Sequence, residues 1–396
     1  MTGGGVTPTV PPERDLVRNV KRLWCSRTKF DVAKTRPDER ASLRANGLLP
    51  PYPYVLLAMP DDTPQAVPII DISPFASPSS HDDEARAATA DKWDRAMQDV
   101  GFAIITGHGV TPETISAVRA GAMSFFTLDA ESKNGYNYGP YGNPLGGYTG
   151  MGTEAVSRTR DAHGSDGGTA DEAKAAKALP DLVESFIFKP DSPKPPPDSL
   201  ASAGNAYHSE LLRVLGCLHV MTAASLKLPS DFFEPYYQPH AEVSLRLAYY
   251  PPIDDTAQSS TAVRYGEHTD YTGFTILHQD EADVGAMEAG GLQVRLKTGE
   301  WHAVRPVANA FVVNIGDLYE VWTNGKWRST VHRVMKPPKG SAAASAPRLS
   351  IPFFTGPHND AVIEAMPTCV DAEHPPKYEK VTAGVHLLRK LGVSNV

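Results

Sequence analysis

The segment Glu267-His268-Thr269-Asp270 decides the interpretation of this chain, together with a distant second histidine, His332. Side chains two residues apart in a β-strand point to the same side, so the spacing predicts that His268 and Asp270 project together. Two histidines and one carboxylate form the ligand set of non-haem Fe(II) sites that keep part of the coordination sphere open. We therefore expect His268, Asp270 and His332 to bind one metal ion, with positions left for a cosubstrate and dioxygen.

The context of the pair matters, because a bare His-x-Asp arises easily by chance among 13 histidines. The strand-like run Gly273–Leu277 follows the pair, and His332 follows a turn signal at Asn324-Gly325. The competing histidines do not combine a carboxylate two residues away with a downstream basic anchor. They are interpreted as packing or surface residues: His108, His278, His302 and His358.

A second spacing of two residues occurs in Arg348-Leu349-Ser350. In a strand, the guanidinium and the hydroxyl would lie on one face, where an arginine fork can bind a carboxylate through two hydrogen bonds. A buried arginine needs a counter-anion, and a dicarboxylate whose other end chelates the metal would supply it. Tyr250 could add a hydroxyl to this pocket. The alternative for Arg348 is an ordinary ion pair on an exposed strand.

Composition favours a soluble protein that acts on small molecules. The chain has 396 residues, 41% of them hydrophobic, and a formal net charge of -8. This charge, without a long Lys/Arg run, argues against nucleic-acid and anionic-membrane partners. No long apolar run or secretory signal is recognised, and three scattered cysteines do not suggest a disulfide framework. We expect a cytoplasmic protein that is a monomer.

The first half of the chain is predicted to mix helices with a few strands. Residues 1–66 are rich in proline and are interpreted as an N-terminal extension. A strand-helix-strand unit is expected over Ala66–Gly107, and helices over Thr111–Phe126 and Asn205–Leu226. Two stretches rich in small or polar residues are predicted to be loops, Gly135–Gly152 and Ser157–Lys177.

The second half is predicted to be mostly β. Short strands broken by turn residues are expected at Val243–Tyr250, Phe274–Leu277, Leu292–Leu296, Ala310–Ile315 and Leu349–Phe354. A final helix is expected at Val381–Leu391. The fold class is therefore mainly β with flanking α, with a double-stranded β-helix (jelly roll) core. We divide the chain into an extension (1–66), a helical and strand region (67–240), a core (241–358) and a C-terminal helical segment (359–396).

Several motifs together resemble the Fe(II)- and 2-oxoglutarate-dependent dioxygenases, specifically the isopenicillin N synthase-like family. The resemblance spans roughly residues 67 to 358. The motifs are Gly101-Phe102-Ala103-Ile104-Ile105-Thr106-Gly107-His108-Gly109, Leu245-Arg246-Leu247-Ala248-Tyr249-Tyr250-Pro251-Pro252, Glu267-His268-Thr269-Asp270, Asn314-Ile315-Gly316-Asp317 and His332-Arg333-Val334.

The resemblance implies roles for individual residues. The family's iron ligands map onto His268, Asp270 and His332, its 2-oxoglutarate anchor onto Arg348 and Ser350, and its cosubstrate-contacting tyrosine onto Tyr250. Two departures from the family pattern are Ala248, where many members have asparagine, and a longer loop at 340–346 before Arg348. Neither removes a ligand.

The resemblance also implies the reaction: oxidation of a small-molecule substrate by hydroxylation, desaturation or cyclisation, of the kind used in secondary metabolism. Fe(II), 2-oxoglutarate and dioxygen would be required, and ascorbate would help in vitro. Two alternatives remain open, an iron oxidase of the same family that does not use 2-oxoglutarate, and a ligand-binding jelly roll without turnover. The candidate substrate contacts are Tyr148, Arg264, Thr269, Tyr271 and Phe354.

Overall fold

The computed structural model describes residues 66–77, 82–158, 180–238, 241–253, 263–279, 291–338, 340–341 and 343–394. All but the last residue of the predicted extension 1–66 lies outside these ranges, as does most of the predicted loop Ser157–Lys177. Among the helices of the described ranges, none combines the length and apolar character that crossing a bilayer requires.

Fourteen strands occur in the described residues. They are β1 (Ile69–Asp71), β2 (Phe102–Thr106), β3 (Gly147–Thr149), β4 (Glu184–Phe188), β5 (Glu242–Tyr250), β6 (Val263–His268), β7 (Phe274–His278), β8 (Gly291–Arg295), β9 (Trp301–Ala303), β10 (Phe311–Ile315), β11 (His332–Met335), β12 (Arg348–Gly356), β13 (Val362–Ile363) and β14 (Val381–Thr382).

The same residues contain eight α-helices and short 3-10 segments at 156–158 and at Pro367–Cys369. The helices are α1 (Ser73–Ala76), α2 (Asp83–Asp99), α3 (Pro112–Phe126), α4 (Ala130–Asn134), α5 (Asp198–Ser225), α6 (Glu234–Tyr237), α7 (Asp317–Trp322) and α8 (Ala383–Ser394).

Most strands belong to two sheets. The larger sheet has the order β1-β2-β10-β7-β12-β5-β4-β3, and the smaller has the order β6-β11-β8-β9. Strand β1 pairs in parallel with β2, whereas the other pairs in both sheets are antiparallel. The fold is therefore mainly β with helices added, as the sequence predicts.

The larger sheet is apolar on both faces because it is covered on both sides. On β5, Leu245 and Leu247 join the main core with helices α2, α3 and α5, whereas Ala248 and Tyr250 pack with residues of the smaller sheet. A second cluster joins β2 and β10 to β8. The two sheets thus face each other, and the even-numbered residues of β5 point into the space between them.

The helix and strand predictions are correct for the long elements and less complete for the short ones. Thr111 caps α3, where its hydroxyl accepts from the Thr114 N–H at 3.2 Å, and Pro112 occupies the first turn as predicted. Helix α5 begins at Asp198, earlier than the predicted Asn205. The predicted loop Gly135–Gly152 contains strand β3. The composition of this stretch does not indicate a strand, because β3 depends on its pairing with the distant strand β4.

Candidate metal centre and adjoining cavity

Three potential metal ligands converge between the two sheets. His268 ends β6, His332 begins β11, and these two residues lie opposite each other in the antiparallel pair. Nε2 of each histidine lies 3.8 Å from Oδ1 of Asp270. All three side chains are buried, and their ligand atoms lie within 4.8 Å of one another. The sequence prediction that these residues come together agrees with this geometry.

The predicted reason for the convergence was partly wrong. Strand β6 ends at His268, so Asp270 does not share a strand with it. Hydrogen bonds position Asp270 instead: its Oδ2 accepts from Thr275 Oγ1 at 2.5 Å and from Asn314 Nδ2 at 2.6 Å. These two donors occupy one carboxylate oxygen and leave Oδ1 directed toward the histidines.

Each histidine is oriented through its other ring nitrogen. Nδ1 of His268 lies 2.8 Å from the carbonyl oxygen of Gly266, and Nδ1 of His332 lies 3.0 Å from that of Thr330. A carbonyl can only accept, so each Nδ1 carries the proton and each Nε2 presents a lone pair. Burial lowers the pKa of His268 below its usual value, which favours the neutral form that binds metal. The donor set therefore fits a divalent cation.

Arg348 and Ser350 lie on the inner face of β12, as predicted. Nη1 of Arg348 donates to Ser350 Oγ at 2.6 Å. The register of β12 with β5 places Arg348 opposite Tyr250, and the guanidinium carbon lies 5.4 Å from the centroid of the tyrosine ring. All three residues are buried. This group provides a guanidinium, a serine hydroxyl and a phenol on one side of the space between the sheets.

A cavity of about 120 Å³ adjoins the triad and is bounded partly by His268 and Asp270. Its wall is mainly aromatic and aliphatic, and it includes residues of the C-terminal helix α8. The residues of its wall include Tyr141, Tyr265, Tyr271, Phe354, Leu387 and Leu391. A molecule that enters this cavity therefore has access to two of the three potential metal ligands, His268 and Asp270.

Sequence reasoning missed a buried ion pair beside the cavity. Arg246 Nη2 lies 2.9 Å from Glu154 Oε1, and Arg246 Nη1 donates to the hydroxyl of Tyr265 at 2.8 Å. The guanidinium also lies over the ring of Tyr141, with 4.6 Å between its carbon and the ring centroid. Arg246 occurs in the family-like motif at residues 245–252, and this position is the sequence signal that could have identified it.

Asp181 supports the strand that carries His268. Its two carboxylate oxygens accept from the backbone N–H groups of Gly266, at 2.8 Å, and Val156, at 2.9 Å. Burial raises the pKa of this carboxyl to about 7, and these backbone hydrogen bonds oppose the rise.

The five predicted substrate contacts divide into two groups. Tyr271 and Phe354 line the cavity. The other three predicted contacts are absent from its described lining. Tyr148 packs against Phe125 and donates to Glu184 Oε2 at 2.7 Å, which directs it into the core.

The remaining two predicted contacts are held by the protein itself. Arg264 is buried, donates to the carbonyl oxygen of Pro251 at 3.2 Å and lies near the ring of Tyr250. Thr269 lies next to Lys390 of α8, with 3.5 Å between its hydroxyl and the ammonium nitrogen. Neither residue lines the described cavity, and their roles as substrate contacts stay predictions. Adjacency in sequence to a proposed ligand or a strand does not determine which side a side chain occupies.

Comparison with known proteins agrees with this geometry. Residues 241–357 match the 2OG-Fe(II) oxygenase superfamily, and residues 67–208 match the family described as non-haem dioxygenase in morphine synthesis N-terminal. The 2-oxoglutarate-Fe(II) type oxidoreductase ppzC of Metarhizium majus is 31% identical over 91% of this chain and 97% of its own length. The chain belongs to the 2OG-Fe(II) oxygenase superfamily. The family resemblance predicted from the motifs is confirmed.

Two further proteins that are similar to this oxygenase are described with small molecules, homoarginine and thymine. Homoarginine-6-hydroxylase 2-ODD-233 of Oryza sativa subsp. japonica is 32% identical over 83% of this chain and 97% of its own length. The crystal structure of Neurospora crassa T7H with alpha-KG (2-oxoglutarate) and thymine aligns with a TM-score of 0.65 and 29% identity, covering 82% of this chain and 96% of that chain. The oxygenase is thus an enzyme that uses Fe(II), 2-oxoglutarate and dioxygen to oxidise a small molecule.

Proposed function

We propose that this oxygenase binds Fe(II) through His268 Nε2, Asp270 Oδ1 and His332 Nε2. The observation that carries the proposal is the convergence of these three buried atoms, each on a side chain whose other polar atom is already hydrogen-bonded. Such support fixes ligand orientation before the metal arrives. Three protein ligands would leave positions for 2-oxoglutarate and dioxygen.

Arg348, Ser350 and Tyr250 are proposed to bind the distal carboxylate of 2-oxoglutarate. The guanidinium can donate two parallel hydrogen bonds to a carboxylate, and the serine hydroxyl and the phenol can add others. Burial of all three groups removes competing water, which strengthens these contacts. The Arg348–Ser350 hydrogen bond also restricts the guanidinium to the inner face of β12.

Fe(II) would supply the chemistry that side chains lack, the use of dioxygen to oxidise a C–H bond while 2-oxoglutarate becomes succinate and CO2. The protein would contribute position. The ligand triad fixes one end of the site, the Arg348 group fixes the cosubstrate, and the cavity wall directs the substrate toward the metal and excludes water.

The cavity also supports a proposal about the substrate. Tyr271 and Phe354 would contact its apolar body. Lys189 lies at the cavity wall, partly buried, and among the described residues its ammonium has no hydrogen-bond or ion-pair partner. Glu242, also in the wall, accepts from Asn359 Nδ2 at 2.7 Å. An anionic group on the substrate would therefore find its counter-charge at Lys189.

The small molecules named with two similar proteins differ in whether they carry an anionic group. Homoarginine, named in the rice relative, carries a carboxylate, whereas the thymine bound by T7H carries none. We propose that the substrate here is of the carboxylate-bearing kind.

Several wider expectations are part of the same proposal. The two facing sheets would form a jelly roll (double-stranded β-helix), with region boundaries near residues 66, 240 and 358. The oxygenase would act as a cytoplasmic monomer on small molecules, without a nucleic-acid or membrane partner. The net charge of -8 and the few cysteines support these expectations.

The experiment is to incubate anaerobically prepared enzyme with Fe(II), 2-oxoglutarate and ascorbate under oxygen and to measure succinate. The panel pairs small apolar carboxylic acids and amino acids with their primary amides. We expect succinate to rise with certain acids and less with their amides, and this difference to shrink in Lys189→Met. Equal stimulation by acid and amide would contradict the substrate proposal. Oxygen uptake without succinate would indicate the 2-oxoglutarate-independent oxidase, and substrate binding without either change would indicate the non-catalytic alternative.

A further inference from the structure

The C-terminal helix α8 places a charged lysine in the interior. Lys390 is only 1% exposed, and its Nζ lies 3.0 Å from Oδ2 of Asp317. One turn earlier on the same helix, His386 Nε2 lies 3.1 Å from the same oxygen. Burying a charge is costly unless it is paired and hydrogen-bonded, so this arrangement needs all three side chains in place.

Asp317 connects this cluster to a proposed metal ligand. Its backbone N–H donates to the carbonyl oxygen of Asp270 at 3.0 Å. Its other carboxylate oxygen accepts from Ser329 Oγ at 2.8 Å, three residues before His332. One buried aspartate therefore contacts α8, the Asp270 segment and the segment that leads into β11.

Lys390 itself reaches both neighbours of Asp270. Its ammonium lies 3.5 Å from the hydroxyl of Thr269 and 5.7 Å from the centroid of the Tyr271 ring. The first distance is at the limit for a hydrogen bond, and the second is in the range of a cation–π contact. The lysine thus spans the segment Thr269–Tyr271, which contains the proposed ligand Asp270.

Helix α8 also forms part of the cavity wall. Leu387 and Leu391 line the cavity on the same helix that carries Lys390. The carbonyl oxygen of Ser394, at its end, accepts from the N–H of Ala155 at 3.0 Å, next to Glu154 of the buried Arg246 pair. Fixing Lys390 therefore fixes both a face of the cavity and the far end of the helix.

We propose that Asp317, His386 and Lys390 form a latch that holds α8 against the segment Thr269–Tyr271, with Lys390 as a positioning residue for that segment. The role rests on the proposed function in so far as Asp270 binds the metal. The latch makes the C-terminal helix part of the active centre: it orders the cavity wall and limits the freedom of the ligand's backbone. Opening it would loosen α8 and weaken metal binding while leaving all three ligands present.

The test uses the full-length enzyme with Lys390→Met, which keeps the side-chain length and removes the charge. Asp317 keeps His386 and Ser329 as partners in this variant. The matched control is Lys380→Met, which breaks the exposed Lys380–Glu364 pair, 2.5 Å long, just before α8. Lys390→Arg tests rescue by a conservative cation.

Two readouts separate the latch from the proposed function. Amide hydrogen exchange over residues 383–394 should accelerate about tenfold or more in Lys390→Met and not in Lys380→Met. The affinity for Co(II), measured from its visible absorption, should fall about tenfold, with partial recovery in Lys390→Arg. If the wild type binds no Co(II), the proposed metal site fails, but hydrogen exchange still tests the latch.

Unchanged exchange over residues 383–394 in Lys390→Met would overturn the latch. Faster exchange with unchanged Co(II) affinity and spectrum would overturn the positioning role. If Lys390→Met does not fold, the double variant Lys390→Met/Asp317→Asn removes both buried charges and is measured in the same way. Exchange equal to that of the wild type would then contradict the proposal.

Discussion

Asn314 donates a 2.6 Å hydrogen bond to Oδ2 of Asp270, on the oxygen turned away from the two histidines. We expect Asn314→Ala to weaken metal binding about 10- to 100-fold, because the carboxylate loses one of its two orienting donors. Anaerobic Co(II) titration measures this effect. The control is Asn137→Ala, at an exposed position on another segment; equal affinities for both variants and the wild type would disprove the orienting role.

Arg348→Lys should raise the KM for 2-oxoglutarate by about 10- to 100-fold. Lysine keeps the charge but loses the planar fork and the hydrogen bond to Ser350, and a charge-assisted hydrogen bond contributes about 1.5–3 kcal/mol. Ser350→Ala should have a smaller effect, a few-fold, because it removes a neutral donor. The KM is obtained from succinate formation. An unchanged KM in Arg348→Lys would show that the cosubstrate binds elsewhere.

Tyr148→Phe and Tyr271→Ala should have opposite signatures. Tyr148 donates to partly buried Glu184 and lies in the core, so its variant should lose about 1–3 kcal/mol of unfolding free energy with an unchanged substrate KM. Tyr271 lines the cavity, so its variant should raise the substrate KM about tenfold. Urea unfolding and steady-state kinetics measure the two effects. A KM change in Tyr148→Phe would support the sequence prediction that Tyr148 binds substrate.

The main sheet was predictable from sequence because both of its faces are covered. Strands such as β5 and β12 therefore show as short apolar runs with turn residues at their ends. The convergence of His268, Asp270 and His332 was also predictable, because sequence motifs mark these residues. The shared face of Arg348 and Ser350 was predictable from their spacing of two residues in β12. Within the described residues, long-range partners were not: Arg246 pairs with Glu154, and Lys390 with Asp317. Such pairs depend on how distant segments pack, which local patterns do not encode.

Asp181 should make stability depend on pH. Burial raises the pKa of its carboxyl in the folded protein to about 7, above the unfolded value of 3.8. The folded state therefore binds more protons between these values, and the free energy of unfolding should fall as pH rises from about 4 to 7. The slope from this group is at most about 1.4 kcal/mol per pH unit. Urea unfolding of the metal-free protein at several pH values measures it.

The comparison for this slope is Asp181→Asn, which cannot ionise. It should be less stable at low pH, since it offers one acceptor oxygen to two backbone donors, but its stability should change less across the same pH interval. Identical slopes in the two proteins would assign the pH dependence to other groups.

The most direct test of the central claim is the Fe(II) stoichiometry of His332→Ala, measured anaerobically together with substrate-stimulated succinate formation. His302→Ala, at a partly exposed histidine in β9, is the matched control. We predict one Fe(II) per chain and full turnover in the wild type and in His302→Ala, and loss of both in His332→Ala. Full turnover in His332→Ala, with one Fe(II) bound, would contradict the assignment of the metal centre.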